Sequence, residues 1–429
     1  MKAAVLVLGE LGRSPRMQYH CLSLAKRKAD VTFIGYPGSN PHPEIIENHR
    51  ITQRYLRRPL KRSVHGLFFP FLAFYKILYQ FFSVLWALLR TDFDLLVIQN
   101  PPCIPVFFSV FFYKLLTFYK RSKYKILIDW HNLGYSLLGL HLRGALRKII
   151  MPIVTLYEHI FGRWVGDYHI CVSQKFKEYL QERQIDATVL YDRPNSLFQP
   201  LSFDEKRDFF TKYKSLLCLE DNHFVRIDAS RQTGPIRIVS PYIFVTPTSY
   251  TPDEDVKMFL RAADMLSDCE FEVRCVITGK GPMYDEIAEL VSEFNEKHTN
   301  VKFSQAFLPI EDYPKLLSCA DMGVSFHYSS SGIDLPMKVV DMFGVGLPSA
   351  SIEFPALPEL IRDNETGFVF KNEEDLSNTM KICALDPEYL AEISHNMKED
   401  EHSCDWDTQW DAKMPELLSF FEDISVKND

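Results

Sequence analysis

Apolar runs of strand length recur along this chain, each closed by a glycine or a polar turn and followed by a helical stretch. Residues 3–8 end at Gly9, and Gly9-Glu-Leu-Gly12-Arg-Ser-Pro15 then reads as a turn opening a helix over about residues 16–28. Residues 31–34, 95–98 and 126–128 are further runs, the last leading into Asp129-Trp-His-Asn132. Strands apolar at every position are buried on both faces, which calls for a parallel sheet sandwiched by helices. A second series follows. A strand at 271–277 leads to Gly279-Lys-Gly-Pro282 and a helix. A strand at 322–327 leads to Ser329-Ser-Ser-Gly332 and a helix holding Lys338 and Asp341. The expected fold class is α/β, with two Rossmann-like doubly wound domains over 1–200 and 201–404. The 429 residues suffice for both. Polar, aperiodic residues 200–240 read as a linker or insertion. The acidic residues 398–402 and 405–411 read as a solvated connection to a final helix within 405–429, which is expected to pack back on the N-terminal domain.

The net charge of −8 hides a division. Residues 1–200 carry 27 Lys and Arg against 13 Asp and Glu, a net of +14, and residues 201–429 carry 21 against 43, a net of −22. A basic half suits an anionic partner: nucleic acid, a membrane or a phosphorylated substrate. It holds no nucleic-acid-binding motif, so that reading is the weakest. Two apolar stretches, 67–89 and 103–119, approach spanning length, but each contains a lysine (Lys76, Lys114) and is flanked by basic clusters. Three readings stand: helices packed on the sheet, helices lying in a membrane interface, or a spanning helix. Nine cysteines without a C-x-x-C pair argue against a disulfide framework or a cysteine zinc site.

Loops that follow strands and open helices lie at the carboxyl edge of a parallel sheet, where helix N-termini favour phosphate oxygens. Gly279 and Gly281 permit close backbone approach there and Lys280 adds a cation; Ser329, Ser330, Ser331 and Gly332 offer hydroxyl and amide donors. Lys338 and Asp341 lie three apart on one helix face, either as a diphosphate cation and a ribose acceptor or as a plain surface ion pair. Asp92-Phe-Asp94 and Asp253-Glu-Asp255 fit a metal-binding D-x-D pattern, but one precedes a strand and the other caps a helix, so both read as structural. No metal-ligand spacing of histidines occurs.

Residues 335–348, Leu-Pro-Met-Lys-Val-Val-Asp-Met-Phe-Gly-Val-Gly-Leu-Pro, resemble the donor-nucleotide helix of GT-B glycosyltransferases. Gly279-Lys-Gly-Pro282 is similar to that family's G-x-G-P turn, and Glu365-Thr-Gly-Phe-Val-Phe370 to a following strand. Asp341 stands where the family's E-x7-E pattern has its second glutamate. Ile333 replaces the first, with Asp334 close but out of register. Residues 9–20, Gln99-Asn-Pro-Pro102, residues 128–136 and residues 329–341 resemble, more closely, the β-mannosyltransferases of the dolichol pathway. That resemblance spans roughly residues 1–425, with 200–240 divergent.

The resemblance implies a GT-B fold whose two domains face a cleft. It implies transfer of mannose from GDP-mannose to dolichol-diphosphate-linked chitobiose, in a β-1,4 linkage, on the cytosolic face of the endoplasmic reticulum membrane. Partners would be the membrane surface and other dolichol-pathway mannosyltransferases, with no nucleic acid. Family members begin with a spanning anchor, whereas this sequence starts at its first strand. Attachment is then expected through 54–125, or the chain lacks its anchor. Inversion needs a base for the acceptor hydroxyl and stabilisation of the leaving diphosphate. His131 is the first candidate base, then Asp129, then Glu10. Lys280 and Lys338 would meet the diphosphate, with Gly12 and Arg13 on the acceptor side. No tightly bound cofactor and no metal site are expected, though divalent-cation stimulation stays open. The alternatives are a catalytically inactive GT-B paralogue acting as a scaffold and a GT-B transferase with another donor or acceptor.

Overall fold

The structure is a computed structural model describing residues 1–59, 69–142, 144–194, 196–220, 225–226, 237–238, 241–328, 331–400 and 405–414. The chain separates into two compact units, one made of Met1–Tyr191 and the segment from Asp405, the other of Asp192–Cys404. The change from one to the other comes at Tyr191/Asp192, ahead of the 200/201 boundary read from the sequence.

Unit 1 is built on a seven-stranded sheet: β1 Lys2–Glu10, β2 Asp30–Tyr36, β3 Ile51–Tyr55, β4 Leu95–Asn100, β5 Lys125–Trp130, β6 Tyr168–Cys171 and β7 Thr188–Val189. Their order is β3-β2-β1-β4-β5-β6-β7, and every pairing is parallel. Ala3 pairs with Val31 on one side and Leu95 on the other, and Ala3, Ala4, Val5 and Leu6 are wholly buried. The strand order reverses between β1 and β4, so the loops leaving β1, β4 and β5 open at the switch point where doubly wound sheets bind ligands.

Helices α1 Pro15–Lys26, α2 Phe69–Leu89, α3 Val106–Leu116, α4 Gly134–His141 and α5 Gly144–Val165 flank this sheet. Both apolar stretches of the sequence are helices, α2 and α3, packed against each other, and α3 packs in turn on α5. Phe71–Leu89 is long and apolar enough to cross a membrane. Its inner stripe of Phe81, Val84 and Leu88 is nevertheless buried in unit 1, and the Phe81 carbonyl accepts from Ser109 Oγ at 3.2 Å. Docking of this kind is what the packed-helix reading expects. The outer stripe, Phe71, Phe74, Leu78, Phe82 and Trp86, stays exposed. Helix α5 repeats the pattern with Leu146, Ile149, Ile153, Leu156 and Trp164 outward. Edge-on rings join the three helices into one layer, Phe81 with Phe112 at 5.6 Å and Phe108 with Phe161 at 5.6 Å.

Unit 2 holds a short antiparallel pair, β8 Val225–Arg226 with β9 Arg237–Ile238, and a six-stranded parallel sheet. The sheet comprises β10 Tyr242–Thr248, β11 Val273–Gly279, β12 Val301–Ala306, β13 Met322–Ser325, β14 Ser349–Ile352 and β15 Phe368–Phe370, in the order β12-β11-β10-β13-β14-β15. The stretch read as a linker begins with a helix instead, α6 Phe203–Tyr213. Ser202 and Glu205 form its capping box, and Phe209 and Phe210 join the core beside Leu316 and Leu317. Helix α7, Met337–Gly344, leads from β13 toward β14.

After unit 2 the chain returns to unit 1 as α8, Trp406–Lys413, packed on α1. Of the acids read as a solvated connection, those at 405–411 cap or belong to this docked helix. Asp405 caps it, Asp407 accepts from Lys26 Nζ and Ser23 Oγ at 2.8 and 2.7 Å, and Arg27 donates to Asp411. Trp406 and Trp410 are buried beneath it. Acidic spacing alone could not show that the opposite face carries two tryptophans meeting a basic helix. Residues 415–429 of the expected final helix lie outside the described residues.

Candidate active site

The buried run of β5 ends at Asp129, whose carboxylate is wholly enclosed. Arg16 grips it with two bonds, Nε to Oδ2 at 2.8 Å and Nη2 to Oδ1 at 3.1 Å. The same Oδ2 lies 2.9 Å from His20 Nε2 and 3.1 Å from His131 Nε2. Burial alone would raise the Asp129 pKa, but the Arg16 charge and the two histidines hold it well below the usual carboxylate range. Of these four side chains, His131 is the one that emerges, 23% exposed against 3% for Arg16 and none for Asp129 and His20. The geometry corrects the choice of Asp129 as a base. An enclosed carboxylate already committed to a guanidinium has no access to an acceptor, and its place is behind His131.

Two further groups set the approach to His131. Its backbone N–H donates to the Asn100 carbonyl at 2.8 Å, tying the β5 end to β4. Glu158, on the inner face of α5 and fully buried, accepts from Asn100 Nδ2 at 2.7 Å and from the N–H groups of Gly134 and Tyr135 at 2.8 and 2.9 Å. It thereby caps α4 and fixes the loop carrying His131 and Asn132. Burial pushes the Glu158 pKa up, against the pull of those donors. Sequence reasoning missed Glu158, Arg16 and His20. Each left a trace: Glu158 is the lone acid between Asp129 and Asp167, and Arg16 and His20 interrupt the apolar face of α1 at helical spacing.

Glu10 ends β1, and its role differs from the one expected. Arg58 Nη2 donates to it at 2.6 Å, the Ser39 N–H and hydroxyl both donate at 3.1 Å, and Arg13 lies 3.5 Å away. Arg58 first, then Ser39, lowers its pKa to about 2, which makes it a weak base and a loop anchor. Gly12 is needed for packing, since a Cβ there would collide with the Ser39 and Asn40 carbonyls. Arg13 extends into solvent, 76% exposed.

In unit 2, Gly279 sits at φ +143°, and a Cβ there or at Gly281 would collide with the carbonyls of Thr248 and Ser249. The glycines thus seat the turn after β11 on the loop after β10. Lys280 between them is exposed, its Nζ 5.9 Å over the Phe307 ring. Glu254 accepts from Thr248 Oγ1 and the Ser249 N–H, both at 2.7 Å, and pairs with Lys338. This buried glutamate, passed over as part of a helix cap, ties the loop after β10 to the start of α7. Lys338 pairs with it rather than with Asp341, so the surface ion-pair reading fails. Asp341 is half-buried, and burial together with nearby Asp192 pushes its pKa up to about 8. Asp334 accepts from Ser331 Oγ at 3.0 Å and lies 3.6 Å from His327 Nε2, ahead of α7, with Gly332 at φ +75° between. Ser329 and Ser330 lie outside the described residues. Asp94 accepts from the Lys2 N–H and Asp92 from Lys2 Nζ, and Asp255 pairs with Arg261, so neither D-x-D gathers a metal set. Among the described residues no three His, Cys, Asp or Glu side chains converge as a metal site.

The profile of the family described as Glycosyl transferases group 1 matches residues 241–386. Over 97% of its length the chain is 36% identical to the Mus musculus protein named chitobiosyldiphosphodolichol beta-mannosyltransferase, covering 88% of that protein. The Candida albicans protein of the same name is 34% identical across 98% of this chain and 88% of its own. The Arabidopsis thaliana protein named UDP-glycosyltransferase TURAN is 31% identical over 97% of each. Among solved structures, sucrose-phosphate synthase from Thermosynechococcus elongatus has a TM-score of 0.66 at 14% identity, covering 99% of both chains. WaaG, a glycosyltransferase involved in lipopolysaccharide biosynthesis, has a TM-score of 0.60 at 12% identity, covering 96% of this chain and 99% of its own. Two parallel α/β units fit those folds, and the identity runs along almost the whole chain: it belongs to the chitobiosyldiphosphodolichol beta-mannosyltransferase family of GT-B glycosyltransferases.

Proposed function

We propose that the chain transfers mannose from GDP-mannose to chitobiosyl-diphosphodolichol with inversion, forming a β-1,4 linkage. The observation that carries the reading is the pairing of half-exposed His131 with enclosed, ionised Asp129 at the end of β5. His131 takes the proton of the acceptor 4-hydroxyl as that oxygen attacks C1 of mannose. The C1–O bond to the diphosphate breaks, and its electron pair leaves with GDP. A positioned imidazole with a carboxylate behind it contributes by general-base catalysis. Lys280 and Lys338 meet the diphosphate, the donor loops around Gly279–Gly281 and Ser329–Gly332 contact its oxygens, and Asp341 holds the ribose. Arg13 and Gly12 serve the acceptor side.

The exposed apolar layer of α2, α3 and α5, with exposed Arg147 and Lys148 on α5, supports a membrane surface as partner, at the cytosolic face of the endoplasmic reticulum. The test is a transfer assay with GDP-mannose and a chitobiosyl-diphospholipid, with and without detergent, repeated with EDTA and with UDP-sugars. A β-mannosidase-sensitive product from GDP-mannose supports the reading. Product only from a UDP-sugar, as the TURAN name would suggest, overturns the donor, and GDP binding with no product favours a scaffold. Loss of turnover with EDTA would reveal a divalent cation. Retention of Asp129 and His131 as an ordered pair counts against the scaffold, which needs neither.

A further inference from the structure

The hydrogen bonds behind His131 continue to α8. Trp410 Nε1 lies 3.1 Å from His20 Nδ1, in a contact where both residues are buried. An indole N–H only donates, so His20 Nδ1 must be the accepting nitrogen and its proton must sit on Nε2. That Nε2 is 2.9 Å from Asp129 Oδ2 and donates to it. Burial, together with the Arg16 charge, lowers the His20 pKa against the pull of Asp129, which is what a neutral ring with one defined tautomer requires. Ionised Asp129 can only accept, so His131 must also donate to it through Nε2, 3.1 Å away. The lone pair of neutral His131 is then on Nδ1.

We infer that α8 is a positioning element of the transfer reaction: Trp410 holds His20 as its Nε2–H tautomer, His20 and Arg16 hold Asp129, and Asp129 presents His131 with Nδ1 as the proton acceptor. The inference rests on the proposed role of His131 and adds the atom that acts and the distant residue that sets it. Three features make α8 a fixed support. Trp406 Nε1 donates to Ser23 Oγ at 2.9 Å, Arg16 stacks 5.1 Å from the Trp406 ring centroid, and the Trp406 ring meets His20 edge-on at 5.2 Å. The groups facing His20 are therefore the charges of Asp129 and Arg16, the titratable ring of His131, and the two indoles as a wall.

The test uses the full chain labelled with 15N-histidine, with His20→Gln assigning the His20 signals. Long-range proton–nitrogen spectra should show His20 with an unprotonated Nδ1 and a protonated Nε2, and His131 with the same tautomer. In Trp410→Phe the ring packing stays while the donor is lost. His20 should then populate both tautomers, and kcat should fall roughly tenfold with KM for the sugar nucleotide unchanged. His20→Gln, whose amide still donates to Asp129, should retain more turnover than His20→Leu. A protonated Nδ1 on wild-type His20 overturns the inference, as does a Trp410→Phe variant with altered melting but unchanged kcat and unchanged His20 signals. His131→Ala separates the two readings: near-normal turnover there removes the base, whereas the His20 tautomer is read from spectra alone.

Discussion

At the scale of single residues the site divides between groups that touch substrates and groups that aim them. His131→Ala should lower kcat by roughly 10²–10⁴-fold while calorimetric GDP affinity stays, because unit 2 carries the donor loops. Unchanged turnover would exclude His131. Asp341 gives a stability test with a defined sign. Its folded pKa, raised to about 8, exceeds the unfolded carboxylate value, so between about pH 4 and 8 the unfolded chain has lost a proton that the folded chain keeps. Stability due to this group therefore falls as pH rises through that window. Asp341→Asn removes the penalty and should raise Tm by several degrees more at pH 8 than at pH 5, because the penalty grows by about 1.4 kcal/mol per pH unit across the window. The same variant should weaken GDP-mannose binding. Equal Tm shifts at both pH values would show that Asp341 ionises normally.

At the scale of elements, α5 has two faces with separate duties. Its inner face delivers Glu158 to the N-terminus of α4, and its outer face carries the apolar stripe. Glu158→Gln replaces a pure acceptor by an amide whose NH2 confronts donors. We expect a loss of about 1–3 kcal/mol in stability and a fall in kcat without a change in donor KM. A variant with wild-type kcat would reduce Glu158 to a fold residue. Ile153→Asp on the outer face should leave Tm within about 1 °C, as an exposed substitution away from packing does. Flotation with vesicles should weaken in that variant. Undiminished flotation would show that this stripe does not meet lipid.

Charge belongs to the whole molecule. The basic half and the acidic half divide close to the boundary between the two units, so the net value describes neither. Binding to vesicles containing anionic lipid should weaken as salt rises from about 0.05 to 0.5 M, because surface charges are screened over about a Debye length. Salt-independent binding to neutral vesicles would assign attachment to the apolar layer alone.

Local pattern made much of this legible. Runs such as residues 3–6 and 95–98 are apolar at every position because both faces of a parallel strand are covered, and that rule needs no partner to be known. The loops that follow them, with Gly279, Gly281, Asp129 and His131, could be located for the same reason. The sequence by itself therefore determined the α/β class, the tandem arrangement and the loops at which chemistry would gather. What it could not determine was which side chains meet. Arg16 and Asp129 are 113 residues apart, Glu254 and Lys338 are 84 apart, and His20 and Trp410 are 390 apart. Only the tertiary structure could turn Asp129 from a candidate base into a support, give Lys338 its partner, or set Trp410 of the tail against His20. Strand and helix propensities act over a few neighbours, whereas the protonation and orientation of a buried group are set by whatever packing brings within about 3 Å of it.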